Sequence, residues 1–347
     1  MANCSTTLAE PSETDAVQVY ILAILPFYHI FGGIMILLFT FMKGTPVFIM
    51  PRFASAQFLS NIQKYKITFS ATRSTDVDRY DLSSLEILFS GAAPLGATLA
   101  QDVKGLKSQN NQALNITQGY GLTETSSATH ILPPVDSIRK VGSPSLLLPN
   151  LEARLVVDGD GDGNIDAEEG RPGELWIRGP SVMKGYHDNP AATKGSITHD
   201  GWFKTGYIAI RDPEGYYPIV DRRKELIKYK GFQVPPAELE SVLLTHADIT
   251  DAAVIGVDSV KEATVTELPR SYVVHARPGA AKSEAEKVAF GKSVQKWIQT
   301  KAANHKYLRG GAVLIDAVPK RCILRCLSLL QYELICRIID LVHLGNS

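Results

Sequence analysis

Residues 118–124 bring two glycines, an aromatic ring, a hydroxyl and a carboxylate together in one short run. The run is Gln118-Gly119-Tyr120-Gly121-Leu122-Thr123-Glu124. Glycines in a turn let the backbone approach a planar ring because they carry no Cβ, and the tyrosine can stack on that ring. The threonine hydroxyl can donate to a phosphoryl oxygen, and the carboxylate can hold Mg²⁺. The run predicts a nucleotide site, and an ordinary glycine-bounded turn is the alternative.

Three further runs accompany it, one upstream and two downstream. They are Ser90-Gly91-Ala92-Ala93-Pro94-Leu95-Gly96, then Gly201-Trp202-Phe203-Lys204-Thr205-Gly206, then Asp221-Arg222-Arg223-Lys224-Glu225-Leu226-Ile227-Lys228. The four runs, in this order, closely resemble the adenylate-forming superfamily, and the sequence around them is most similar to 4-coumarate:CoA ligases and fungal acyl- or aryl-CoA ligases. The resemblance covers residues 20–320. Chance agreement of several spaced motifs is far rarer than that of one motif.

The resemblance implies an ATP-dependent ligase that works in two steps. A carboxylic acid, of acyl or aromatic type, attacks ATP to give acyl-AMP and pyrophosphate, and the thiol of coenzyme A then displaces AMP. The expected ligands are therefore the acid, ATP or AMP, Mg²⁺ and coenzyme A. The implied fold is a large α/β domain, incomplete at its N-terminal side and with a strand-rich subdomain, followed by a small α/β C-terminal domain.

Each run supplies candidates for the nucleotide and its metal. The resemblance assigns nucleotide contacts to Gly91, Ala92, Ala93, Gln118, Gly119, Tyr120, Gly121, Thr123 and Arg222, and a metal contact to Glu124. For the two alanines, the alternative is a turn without function. Arginine at 222 matches the family residue that contacts AMP.

Candidates for the acid, for coenzyme A and for catalysis lie on both sides of these motifs. By resemblance, His29 flanks the acyl pocket, and Arg52 and the pair Lys230-Gly231 contact coenzyme A. Lys224 belongs to the same group of expected substrate and coenzyme A contacts. Lys228 and Gln233 match the catalytic pair that organises the reacting groups. Lys224 and Lys228 would share one face if the segment were helical. The alternatives are a core histidine, a surface arginine and a solvated basic patch.

An acidic run from Asp158 to Glu169 matches the calcium loop of an EF-hand at its ligand positions, including the glycine at six and the glutamate at twelve. An EF-hand also needs a helix on each side. The flanking segments, Leu151–Val157 and Gly173–Ile177, have β-type composition. We therefore expect a hairpin tip, and a calcium-responsive module is the alternative.

Three departures from the family pattern bear on activity. A phosphate loop of the form S-G-T-T-G-x-P-K-G is expected upstream of His29, where the printed sequence has none. The family's T-G-D is Thr205-Gly206-Tyr207 here, and loss of that carboxylate costs about 1.5–3 kcal/mol of binding. The terminal motif, Pro319 to Arg325, lacks the adenylation lysine. We expect weak or absent adenylation and a less affected thioester step, with a non-catalytic adenine-nucleotide-binding or partner-binding homologue as the alternative.

Bulk composition excludes other classes. The 36 basic residues equal the 36 acidic ones, so no global field recruits nucleic acid. Four cysteines among 347 residues favour reduced thiols over a disulfide framework. No signal peptide precedes residue 20 and the ending is not a peroxisomal one, so a cytoplasmic location is expected.

The apolar segment Val19–Met42 is long enough to span a membrane, but Pro26, His29 and two glycines interrupt it and favour a strand, a loop and a buried helix. The oligomeric state stays open.

The elements that must position these residues follow from the hydrophobic pattern. We expect a segment without family match over 1–19, the partial large domain over 20–220, a small lid domain over 221–320 and an amphipathic tail over 321–347. Strands are predicted over 85–89, 151–157, 174–177, 252–257, 270–276 and 313–317, and helices over 54–66, 96–107, 234–245 and 283–302. Pro235-Pro236 marks the start of one helix.

Overall fold

The structure is a computed structural model that describes residues 19–52, 54–70, 79–91, 115–137, 139–140, 145–157, 163, 165–259 and 266–319. It divides into two compact units between Val220 and Asp221. Among the predictions, the helix over 96–107, the tail over 321–347, the residues Ala92 and Ala93, and most of the terminal motif lie outside the described residues.

The first unit contains most of the strands. They are β1 (Ile21–Ala23), β2 (Val47–Ile49), β3 (Phe69–Ser70), β4 (Ile87–Ser90), β5 (Asn115–Leu122), β6 (Ser127–Ile131), β7 (Ser145–Leu147), β8 (Glu152–Val156), β9 (Gly173–Arg178), β10 (Phe203–Ala209) and β11 (Tyr216–Tyr217). A π-helical segment, Phe31–Leu38, continues into α1 (Phe39–Lys43), and two further helices are α2 (Ser55–Tyr65) and α3 (Pro190–Ser196). Short 3₁₀ turns cover Thr123–Thr125 and Pro134–Asp136.

The main sheet of this unit has eight strands in the order β11-β7-β6-β5-β4-β3-β1-β2. Strands β2, β1, β3, β4 and β5 run parallel to their neighbours. Strands β6, β7 and β11 continue the sheet in antiparallel pairing. The parallel part therefore presents all its carboxyl ends at one edge, and the residues that follow those strands gather there.

A second sheet has the order β12-β10-β9-β8, where β12 (Ile219–Arg222) carries the chain across the boundary between the units. Strands β8, β9 and β10 are antiparallel. The register of β9 and β10 shifts between Lys204 and Ile208, so residues 205–207 form a bulge opposite Leu175. Bulges of this kind re-aim a side chain and occur next to active sites.

Helix α2 shows how the sequence pattern produces packing. Its apolar residues Phe58, Leu59 and Ile62 are buried in one cluster with Leu22 of β1. Each fully buried side chain of this size contributes about 1.5–3 kcal/mol. The helix ends at Lys66, which adopts the left-handed conformation with φ of 51°. The observed bounds, Ser55–Tyr65, confirm the predicted helix over 54–66.

The second unit is a smaller α/β assembly. It contains β13 (Ile227–Tyr229), β14 (Phe232–Val234), α4 (Pro236–Leu243), β15 (Ile249–Asp258), β16 (Glu267–His275), α5 (Glu284–Ile298) and β17 (Gly311–Leu314). Strands β15, β16 and β17 form one sheet, and β13 pairs with β14 in a hairpin. Buried Leu239, Val273 and Val294 belong to the core between the helices and this sheet.

The predicted α/β class is confirmed in both units. The segment Val19–Met42 forms strand β1, a loop with His29 and the π-helical segment that continues into α1, as the interruptions in it predict. Within the residues that the structure describes, no helix has the length and apolar composition needed to cross a membrane.

Candidate functional site

Predicted site residues follow four of the parallel strands. His29 lies in the loop after β1, Arg52 comes after β2, Gly91 directly follows β4, and Thr123 and Glu124 directly follow β5. In open α/β sheets, ligands bind outside the carboxyl ends of the strands. The fold therefore brings residues that are widely separated in the sequence to one sheet edge.

A phenylalanine ring lies beneath this edge. A Cβ added at Gly119 would lie 2.5 Å from Cζ of Phe89, and one added at Gly91 would lie 3.3 Å from its Cε1. Phe31 packs on the same ring with a centroid distance of 5.3 Å. The backbone N–H of Phe31 donates to Nδ1 of half-buried His29 at 3.3 Å, which orients that imidazole. The absence of a Cβ at Gly91 and Gly119 thus leaves room for the ring of Phe89.

The turn predicted for the glycine-rich run is wrong, because Gly119 and Gly121 lie within strand β5. Gly119 pairs with Ile131 and Gly121 with Ala128 on β6, while Gln118 pairs with Ser90 on β4. A Cβ at position 121 would lie 1.9 Å from the carbonyl oxygen of Ser127. The close approach that the glycines allow is therefore between neighbouring strands, and the nucleotide contacts of this run stay a prediction.

Tyr120 lies in a row of rings from both sheets of the first unit. Its ring centroid lies 5.1 Å from that of Tyr207, in an edge-on arrangement, and 5.8 Å from that of His130. The ring of His130 continues the row to Tyr217, at 5.0 Å. The edge-on pair of Tyr120 and Tyr207 has a geometry that is stabilising at this distance.

The position of Tyr207 is fixed by the bulge between β9 and β10. Thr205 Oγ1 donates to the carbonyl of Leu175 at 2.6 Å, and the N–H of Gly206 donates to Oε1 of buried Glu174 at 3.1 Å. Gly206 has φ of 73°, a conformation that favours glycine. The bulge therefore holds a phenol beside Tyr120, where the resemblance expects a carboxylate.

His130 is a candidate that the sequence analysis missed. Its side chain is 0% exposed, and burial lowers its pKa from 6.5 to about 3, so the imidazole is neutral. Its Nδ1 lies 2.9 Å from Oγ1 of Thr129. Among the described residues, no hydrogen-bond partner reaches its Nε2. A single histidine in an apolar strand gives no sequence signal that separates a site residue from an ordinary core residue.

Glu124 is half-buried, and its carboxylate accepts a hydrogen bond from Tyr186 Oη at 2.8 Å. Burial, and then the bond to Glu124, raise the pKa of Tyr186. Within the described part of the chain, no group of three His, Cys, Asp or Glu residues could hold a metal by itself. A single carboxylate suits Mg²⁺, which is commonly bound through one or two carboxylates together with substrate phosphates and water.

In the second unit, Lys228 and Gln233 face each other across the hairpin of β13 and β14. Both are exposed, and cross-strand partners point to the same side of a sheet. Lys230 and Gly231 form the two-residue turn, with φ of 46° and 83°. Two positive φ values are those of a type I′ turn. The hairpin thus brings together the four residues to which the resemblance assigns catalysis and coenzyme A contacts.

The segment from Lys224 to Lys228 is not helical, so the condition for a shared helical face is not met. Lys224 lies in a turn closed by the N–H of Glu225, which donates to the carbonyl of Arg222 at 3.0 Å, and Lys228 lies in β13. The guanidinium of Arg222 also bonds Oε1 of Glu225 at 3.1 Å. Next to it, burial raises the pKa of Asp221. A turn and a strand place the two lysines differently from a helix.

Around the acidic run, the flanking segments are strands. β8 and β9 pair in antiparallel fashion, as expected for a hairpin, and the N–H of Val157 donates to the carbonyl of Ile165 at 3.0 Å. Arg154 binds the carboxylate of Asp166 at 2.7 Å. Residues 158–162 and 164 lie outside the described residues, so calcium binding stays a prediction.

Comparison with known proteins agrees with these motifs. The family model described as AMP-binding enzyme matches residues 1–187, and that of the AMP-binding enzyme C-terminal domain matches residues 238–321. A Dictyostelium discoideum protein named "Probable 4-coumarate–CoA ligase 1" is 41% identical over 309 residues, which cover 86% of this chain and 53% of that protein.

Solved structures are similar as well. The o-succinylbenzoate CoA synthetase of Bacillus subtilis, in complex with its acyl-adenylate intermediate, matches with a TM-score of 0.70 and 26% identity, over 88% of this chain and 59% of its own. ATP-bound MatB from Rhodopseudomonas palustris matches with a TM-score of 0.75 and 25% identity, over 91% of this chain and 60% of its own.

This chain spans about half the length of the curated relatives it matches. The family model nevertheless covers more than half of the chain. These matches confirm the resemblance that the four motifs indicate. The chain belongs to the AMP-binding enzyme family, whose members are adenylate-forming enzymes.

Proposed function

We propose that this chain is part of an acyl- or aryl-CoA ligase and binds the acyl-adenylate at the carboxyl edge of its parallel sheet. The substrates are a small carboxylic acid, ATP and coenzyme A. The observation that carries the proposal is the convergence of residues after β1, β2, β4 and β5 on one edge, beside the ring of Tyr120. The identity of the acid is open, because the sequence suggests aromatic acids only by resemblance.

In this proposal, the side chains at the edge divide the work. Tyr120 stacks on the adenine, Thr123 donates to a phosphoryl oxygen, and His29 borders the acid. Mg²⁺, when bound, neutralises phosphate charge, and Glu124 is the residue that would hold it. These groups orient the acid carboxylate for attack on the α-phosphorus, with pyrophosphate as leaving group.

The thioester half-reaction draws on residues of the second unit. The resemblance assigns organisation of the reacting groups to Lys228 and Gln233, and contact with coenzyme A to Lys230 and Gly231. A thiolate attacks the acyl carbon, and the bond to AMP breaks. All four residues are present, and they lie together on one hairpin, so we propose that this half-reaction is the better preserved one.

Adenylation is proposed to be weak, because Tyr207 occupies the position of the carboxylate that accepts both ribose hydroxyls in the family. A phenol provides one neutral acceptor, and loss of a charge-assisted bond costs about 1.5–3 kcal/mol, or one to two powers of ten in affinity. The position of this phenol beside Tyr120 supports a direct effect on nucleotide binding.

Two parallel assays test the proposal. Purified protein receives either synthetic acyl-AMP and coenzyme A, or ATP and the free acid, across a panel of aromatic and aliphatic acids. Thioester formation from the first mixture with little pyrophosphate from the second is the expected result. Strong pyrophosphate release from the second mixture would show that adenylation is intact. A matched Lys228→Ala variant should lose thioester formation at least tenfold, while Lys64→Ala should leave it unchanged.

The substitution at Tyr207 also favours a second candidate function, a non-catalytic homologue that retains adenine-nucleotide affinity or binds a partner. Titration calorimetry with AMP separates the two. AMP binding without thioester formation from any acyl-AMP supports the second candidate. A pull-down with and without residues 321–347 then shows whether that tail recruits an intact ligase.

A further inference from the structure

Tyr186 contacts the predicted metal ligand although it lies 62 residues away in the sequence. Its hydroxyl donates to Oε1 of Glu124 at 2.8 Å. The same segment also binds the glutamate backbone, because the N–H of Met183 donates to the carbonyl of Glu124 at 2.8 Å. Backbone and side chain of Glu124 are therefore both held by residues 183–186.

The backbone of Tyr186 is itself fixed by the start of α3. Its N–H donates to Oγ1 of Thr193 at 2.9 Å, and that hydroxyl donates to the carbonyl of Asn189 at 3.0 Å. Gly185 precedes it with φ of 154°, and a Cβ there would lie 2.8 Å from Cγ2 of Thr193. Asn189 caps the helix and Pro190 begins it. The tyrosine therefore extends from a rigid support.

The hydrogen bond leaves one oxygen of the carboxylate for another ligand. Among the described residues, no hydrogen bond or ion pair reaches Oε2 of Glu124. A glutamate side chain without such a partner samples several rotamers, and ordering it weakens ligand binding. Tyr186 restricts that freedom before a ligand arrives, and it tolerates a cation on the second oxygen because it donates only to the first.

We propose that Tyr186 is a positioning residue, which holds Glu124 with Oε2 directed to a divalent cation that accompanies the phosphates of ATP. The inference rests on the proposed function, because that function supplies the nucleotide. It goes beyond the resemblance, which assigns nothing to Tyr186. The role requires the hydroxyl group and not the ring.

The test compares the full chain with its Tyr186→Phe variant. ATP binding is measured by titration calorimetry over a series of Mg²⁺ concentrations, and AMP binding is measured without metal. We expect the Mg²⁺ concentration that gives half of the maximal increase in ATP affinity to rise about tenfold in the variant. This is the usual effect of losing a hydrogen bond to a charged group. AMP binding without metal should stay unchanged. If Tyr186 had only a structural role, its replacement should weaken AMP binding as well.

Two controls complete the design. Tyr28→Phe removes the hydroxyl of a tyrosine that is 75% exposed and should behave as the unmodified chain. Glu124→Gln should abolish the Mg²⁺ dependence. If Tyr186→Phe does not bind AMP, Thr193→Val removes the support of Tyr186 and should raise the Mg²⁺ requirement in the same direction.

The outcomes of the two proposals differ. An unmodified chain that binds no AMP contradicts the proposed function. An unmodified chain that binds AMP but shows no Mg²⁺ dependence in ATP binding overturns the role of Tyr186. Equal Mg²⁺ dependence in Tyr186→Phe and in the unmodified chain overturns it as well.

Discussion

The ring of Tyr207 meets the ring of Tyr120 edge-on, with centroids 5.1 Å apart and planes at 74°. Tyr207 lies on the bulge between β9 and β10, and Tyr120 lies on β5. Two sheets of the first unit thus contribute one aromatic ring each to the same place. The hydroxyl-bearing ring at position 207 stands where the family pattern has an aspartate.

Restoring that carboxylate should strengthen nucleotide binding. We expect Tyr207→Asp to bind AMP about 10- to 100-fold more tightly, because a carboxylate accepts from both ribose hydroxyls and charge-assisted bonds are the stronger ones. Titration calorimetry with AMP measures the change. Tyr207→Asn has the same shape without the charge and should gain less. Equal affinities for aspartate, asparagine and tyrosine at this position would contradict the assignment.

A side chain at position 121 should disrupt the pairing of β5 with β6. A Cβ there lies 1.9 Å from the carbonyl oxygen of Ser127, which belongs to the backbone and cannot rotate away. We expect Gly121→Ala to lower the free energy of unfolding by about 1–3 kcal/mol, measured by urea denaturation. Gly195→Ala is the matched control, since a Cβ at that exposed helical position meets no atom within 4 Å other than its chain neighbours and the backbone of its own helix. Equal midpoints for both variants would show that the strands adjust freely.

Acid should destabilise the first unit through His130. Its pKa is lowered from 6.5 to about 3 by burial, so the unfolded chain takes up a proton in a pH range where the folded chain does not. The stability that neutral His130 contributes to the folded state is fully present above pH 6.5 and is lost as the pH falls toward 3. Between pH 7 and pH 5.5, the free energy of unfolding should fall by about 1 kcal/mol for this reason.

Urea denaturation at the two pH values measures that loss. His130→Leu should show a smaller decrease than the unmodified chain, because leucine binds no proton. His187→Gln serves as the control, since it replaces a histidine whose side chain is 94% exposed. A His130→Leu variant with an unchanged decrease would exclude this residue as its source.

Calcium should not stabilise the chain. The acidic run is flanked by strands β8 and β9, and the carboxylate of Asp166 is bound by Arg154 at 2.7 Å. We expect the melting temperature in millimolar calcium to equal that in a chelator. A ligand that binds only the folded state raises the melting temperature, so an increase would favour the calcium-responsive alternative.

Local signals were sufficient to locate helices α4 and α5. The predicted helix over 283–302 forms as α5, Glu284–Ile298, and Ser283 caps it with a capping box that includes Glu286. Helix α4 begins at Pro236, as the proline pair predicts. Caps and apolar periodicity act within a few residues, so one sequence is enough to locate such elements.

Non-local pairing explains the error in the glycine-rich run. Gly119 and Gly121 have the composition of a turn, but β4 and β6 lie on the two sides of β5 and keep the backbone extended. By contrast, the hairpin that contains Lys228 is local, because the two-residue turn Lys230-Gly231 joins its strands. Tertiary context overrides local preference only in the glycine-rich run.

The motifs predict site residues, but they do not predict which distant residues meet. The contact between Tyr186 and Glu124 joins residues 62 apart, and the row from Tyr120 through His130 to Tyr217 depends on the order of the strands. Such relationships need coordinates, because no spacing in the sequence specifies them.

The bulge at residues 205–207 separates ligand preference from folding. Position 207 stands outside the regular register of β9 and β10, and the bulge is held by Thr205 and Gly206. An exchange between acid, amide and phenol at this position therefore replaces no paired residue of β9 or β10, although loss of the ring removes the edge-on contact with Tyr120. The nucleotide affinity of variants at position 207 can therefore be compared without replacing a paired residue of β9 or β10.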